Sequence, residues 1–97
     1  MITNQTHTKL FPLSQIVATP LCLHVISEAV QHPVDFLRRH LAGDWGDLSD
    51  EDKRLNDEAV KDESRILSAY KTTRGDRVWL ISEADRSATT ILLPSEY

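Results

Sequence analysis

Ninety-seven residues with 40% hydrophobic content and a formal charge of −4 describe one small domain over 1–97, able to bury one modest core, and not a disordered chain. No window approaches the roughly eighteen apolar residues of a membrane-spanning helix, and a pI near 5.4 argues against direct contact with nucleic acid. Cys22 is the single cysteine, which rules out an internal disulfide and fits a reducing compartment, the cytoplasm.

Residues 1–9 are polar and lack the apolar run of a secretory signal; with the next three they read as a flexible tail over 1–12. Gln15-Ile16-Val17-Ala18 is a short strand or extended segment. Thr19-Pro20 then starts a helix, Thr as cap and Pro at the first turn. The helix is expected over 20–31. Its apolar positions, Leu21, Val25 and Ala29 with Leu23, Ile26 and Val30, cover much of its circumference and predict deep burial. His32-Pro33 ends it and begins a second helix over 33–42, with Val34, Leu37 and Leu41 on one stripe, Phe36 beside them, and Arg38 and Arg39 opposite. Gly43 suits the position just past a helix end.

Gly43-Asp44-Trp45-Gly46-Asp47 is a turn with an aromatic anchor. Trp45 is either an exposed contact for a partner or a pin between helices, and the general burial of Trp favours the pin. Ser49 caps a third helix running to about residue 60, with Asp52 three residues on. That helix has little to bury: Leu55, Ala59 and Val60, with Leu48 ahead of the cap. Segments 66–72, 77–83 and 88–93 have strand character and are separated by short turns, which predicts an antiparallel meander. The class is therefore α+β, two or three N-terminal helices packed on a three-stranded antiparallel meander.

Charge is concentrated in residues 44–63. Asp44, Asp47, Asp50, Glu51, Asp52, Asp57, Glu58, Asp62 and Glu63 face only Lys53, Arg54 and Lys61, a formal −6. Residues four apart on a helix lie about 6 Å apart, so Asp50 and Asp57 share a face, as do Glu51, Glu58 and Asp62. Such a row is comparable with phosphates along a nucleic-acid strand and could sit in a basic protein groove. The same residues permit a blander arrangement, a solvated helix laced with Lys53–Asp57, Arg54–Glu58 and Asp57–Lys61 pairs, each worth roughly 0.3–0.5 kcal/mol.

Other constellations carry less. Glu83 and Asp85 could form a carboxylate pair, but their simpler role is to hold Arg86 and close a turn. His40 and Asp44 straddle a helix end, where a histidine commonly meets backbone carbonyls. Arg38, Arg39, Arg65, Arg74 and Arg77 form a basic patch only if the fold gathers them. No His/Cys spacing matches a zinc site, and no phosphate-binding or nucleophile motif is present, so neither a cofactor nor an enzyme is expected.

The strings Leu13-Ser14-Gln15-Ile16-Val17-Ala18-Thr19-Pro20, Arg39-His40-Leu41-Ala42-Gly43-Asp44-Trp45-Gly46-Asp47 and Ile81-Ser82-Glu83-Ala84-Asp85-Arg86-Ser87-Ala88-Thr89-Thr90-Ile91-Leu92-Leu93-Pro94-Ser95-Glu96-Tyr97 resemble a family of small proteins carried by plasmids, prophages and other mobile elements of proteobacteria. The resemblance covers residues 13–97. Members are labelled plasmid-related or type I restriction methylase subunit; the latter does not suit a chain too short for a methylase cofactor fold. Length, acidity and this mobile-element character are also similar to anti-CRISPR proteins of the DNA-mimic kind. That resemblance implies a mechanism, an acidic surface occupying the basic channel of a type I CRISPR surveillance complex, at its DNA-binding subunit, and blocking its target DNA in a host bacterial cell; the chain itself is expected to be a monomer. The residues expected to carry it, from charge alone, are Asp44, Asp47, Asp50, Glu51, Asp57, Glu58, Asp62 and Glu63, with Trp45 or Tyr97 as a buried anchor. Two rivals are a non-catalytic accessory module of a mobile element and, more remotely, a small enzyme using Glu83, Asp85 and His40.

Overall fold

Each helix starts where a side chain can satisfy its free N–H groups. A computed structural model describes residues 9–97 and gives the order β1 (Gln15–Ala18), α1 (Pro20–Glu28), α2 (Pro33–Leu41), α3 (Asp50–Asp62), β2 (Ile66–Lys71), β3 (Arg77–Ser82), β4 (Ala88–Leu92) and a closing 3-10 turn (Pro94–Glu96). The Thr19 hydroxyl accepts from the Cys22 N–H, His32 Nδ1 from Val34, and the Ser49 hydroxyl from Asp52. Asp35 returns a carboxylate to the His32 N–H, completing a two-way cap on α2. Gly43 follows α2 at φ +85°, the left-handed exit expected of a glycine there.

The fold is α+β, but its sheet is not a three-stranded antiparallel meander. It has four strands in the order β1-β4-β3-β2. The meander β2-β3-β4 is present, and β1 adds to it in parallel, Gln15 opposite Ala88 and Ala18 opposite Ile91. Nothing local in the sequence reports a pairing between segments so far apart.

Alternation along the strands sorts the sheet into two faces. Tyr70, Val78, Leu80 and Ile91 point to one face and pack with Cys22 and Ile26 of α1 and Phe36 and Leu37 of α2. Beside them Phe11, Trp45, Ala59 and Ile66 form a second cluster. Most of the tail expected over 1–12 lies outside the described residues, but its last part is anchored: Phe11 is buried, and the Leu10 N–H donates to the Leu41 carbonyl. The deep burial expected of α1 does not hold. Only Cys22 and Ile26 of that helix are buried, while Leu21 and Leu23 are exposed, because the sheet covers one side of the helix and none of the described residues forms a layer on the other.

The outer edge of β2 is closed by side chain and loop. The Asn56 amide donates to the Leu67 carbonyl and its oxygen accepts from the Leu67 N–H. Two residues on, Ala69 exchanges hydrogen bonds with the turn, its N–H to the Trp45 carbonyl and its carbonyl from Asp47. Gly46 is obligatory at this approach: it sits at φ +80°, and a Cβ there would lie 2.0 Å from the Ala69 carbonyl oxygen.

Candidate partner-binding surface

The strip from residue 44 to residue 63 is built by the turn after α2 and by α3. α3 buries Asn56 and Ala59 against the sheet, which turns its charged residues outward. Asp44, Asp47, Asp50, Glu51, Asp52, Asp57, Glu58, Asp62 and Glu63 are all exposed. Every acid of the segment therefore reaches the surface, although buried Trp45, Asn56 and Ala59 lie between them in the chain.

Several of these carboxylates already have internal work. Asp44 accepts from Arg39 Nε at 2.7 Å, and that hydrogen bond holds its carboxyl below the usual range. It also accepts from the Gly46 N–H, bracing the turn. Asp57 accepts from the Trp45 indole N–H at 2.9 Å, and Asp62 from the Ser64 hydroxyl. Of the three i,i+4 pairs open to α3, one is present, Arg54 to Glu58 at 2.6 Å. Being exposed on both sides, it contributes only a few tenths of a kcal/mol. Asp47, Asp50, Glu51 and Glu63 form no ion pair among the described residues.

Trp45 is not an exposed anchor. It is buried, near-parallel to Phe11 at 6.4 Å and edge-on to His40 at 6.0 Å, and its indole ties the turn to α3 through Asp57. Tyr97 is the opposite case. It is 65% exposed, edge-on to Trp79 at 5.7 Å, with the Arg65 guanidinium 5.4 Å from its ring centre. Trp79 belongs to the sheet face turned away from α1 and α2, so this aromatic–arginine cluster lies on that outward face.

The remaining expectations are redistributed by the fold. His40 meets no carbonyls at a helix end; it is fully buried, with Ser68 on Nδ1 and Ser82 at 2.9 Å from Nε2, and Ser82 continues to Thr89 at 2.6 Å. Burial, then the nearby Arg86 charge, depresses its pKa to about 4. His40 is thereby separated from Glu83 and Asp85, which are exposed in the β3–β4 turn. Arg86 is not held by those acids. Its guanidinium donates to the carbonyls of Ser64 at 2.6 Å, Ala59 at 2.9 Å and Glu83 at 3.0 Å, at the negative end of α3. Three of the five arginines have partners of their own: Arg39 pairs with Asp44, Arg74 with Glu28, and Arg65 lies over Tyr97.

No protein-family model matches this sequence, and neither a curated protein nor a solved structure matches it.

Proposed function

We propose that this chain is an inhibitory binding protein that docks the acidic strip of α3 and its preceding turn into a basic DNA channel of another protein. The partner class implied by the resemblance is the DNA-binding subunit of a type I CRISPR surveillance complex. The observation that supports this reading is the exposure of all nine acids in residues 44–63, with only three bases among them. Asp47, Asp50, Glu51 and Glu63 supply charge free of ion pairs among the described residues, and Asp62 and the Arg54-paired Glu58 extend the row along the helix. A field so localised speeds encounter with a basic surface and weakens with salt. Asp57 plays a different part, because its carboxylate anchors Trp45.

The test is a mobility-shift competition between this protein and labelled target duplex on a purified type I complex, at two salt concentrations. Displacement of DNA that weakens at the higher salt is expected. Absence of displacement across type I complexes overturns the reading. A second reading, an accessory module without inhibitory action, is favoured by one feature, the exposed Tyr97–Trp79–Arg65 cluster on the outward sheet face. Under that reading Tyr97→Ala abolishes partner capture and charge reversal on α3 does not.

A further inference from the structure

A pocket of about 270 Å³ opens between α3 and the outward side of β2. Leu48, Leu55 and Leu67 give it apolar walls, and Asn56 lines it with both amide atoms already engaged by the Leu67 backbone. Its two charged residues are Asp52 and Arg65. They differ in engagement. The Arg65 guanidinium lies over the Tyr97 ring. The Asp52 side chain forms no ion pair among the described residues; its part in starting α3 is played by its backbone N–H, which donates to Ser49.

A leucine-walled slot with a free carboxylate at its edge, set in a strip of formal charge −6, has the chemistry of a receptor for a long cationic side chain. Arginine suits it better than lysine. Its stem is apolar, its guanidinium leaves water at lower cost than an ammonium, and its planar fork can meet both oxygens of one carboxylate. We infer that this pocket receives one arginine of the basic partner, its stem against Leu48, Leu55 and Leu67 and its guanidinium on Asp52. The inference rests on the reading of the acidic strip as the docking surface. It adds the short-range contact that steering by charge lacks, and it assigns specificity to Asp52 and Leu55.

Two labelled peptides test it by fluorescence anisotropy: nine lysines, and the same peptide with arginine at the central position. At physiological salt the arginine peptide should bind this protein about tenfold more tightly, the worth of the second hydrogen bond a guanidinium makes to a carboxylate that an ammonium meets with one. Asp52→Asn and Leu55→Ser should each abolish that preference. Glu51→Gln, which removes the same charge one residue away, should weaken both peptides equally and keep the preference. Thermal unfolding of each variant confirms that it is folded. Equal binding of the two peptides, or equal effects of Asp52→Asn and Glu51→Gln on the preference, overturns the inference. The peptides contain no DNA and no nuclease complex, so this result and the competition result can fail separately.

Discussion

Single residues in this fold carry conformational and protonation costs that can be measured. His40 is the clearest. Its ordinary pKa of 6.5 falls to about 4 in the folded protein because burial disfavours the charged ring and Arg86 repels it. Between those values the unfolded chain takes up a proton that the folded protein does not. Stability from this source is thus complete above about pH 6.5 and is lost as pH falls toward 4, by as much as ~3 kcal/mol. The urea midpoint should drop accordingly between pH 7 and pH 4.5, and His40→Gln should flatten that part of the profile. Val30 carries a different cost. It adopts φ +57° and is 93% exposed, so a β-branched side chain occupies the left-handed region with no packing in return. Val30→Asn should raise stability by about 1 kcal/mol, read as a higher thermal midpoint. Neither residue announces its state in the sequence: the burial of His40 depends on Ser68 and Ser82, and the conformation of Val30 on how α1 hands over to α2.

Among the elements, α3 and β2 depend on two side chains that act in place of backbone. Arg86 terminates α3 by collecting carbonyls from three residues. Arg86→Ala leaves the Ser64 carbonyl without its donor, while the Ala59 and Glu83 carbonyls keep backbone donors, and should cost about 2 kcal/mol, with the last turn of α3 losing amide protection first. Asn56→Ala should cost about 2 kcal/mol and expose the Leu67 backbone, seen as faster exchange at that amide and a greater tendency to aggregate through the β2 edge. Element identity was readable because its signals are local. Thr19-Pro20, His32-Pro33 and Ser49 mark three helix starts within a few residues, and the strands 66–71, 77–82 and 88–92 fall inside the expected segments. The partners of Arg86 were not readable, since they are backbone oxygens, two of them more than twenty residues away, whereas Glu83 and Asp85 lie close by in sequence. The β1–β4 pairing escaped for the same reason.

At the scale of the whole molecule, charge is segregated onto one strip while the opposite boundary of the sheet is formed by β1. Composition alone located the acidic strip, since exposure follows from how little α3 has to bury. The pocket beside it needed the packing of α3 on β2, which no spacing rule supplies. Glu51→Lys combined with Asp62→Lys should abolish DNA displacement in the competition assay while leaving the thermal midpoint within about 0.5 kcal/mol of its original stability. Asp57→Lys should lower both, because it also releases Trp45. The parallel seating of β1 on β4 has a kinetic consequence. It joins residues 15–18 to residues 88–91, and closing so long a loop gains contacts only after β2, β3 and β4 have formed their hairpins. β1 therefore docks late in folding and lifts early on unfolding. Cys22 sits immediately beyond it, its fully buried thiol pushed up to about 11 by burial and then by the Glu96 charge. The rate at which that thiol reacts with an added reagent times the lifting of β1 and α1, so the chain carries a built-in clock for its own first step toward the unfolded state.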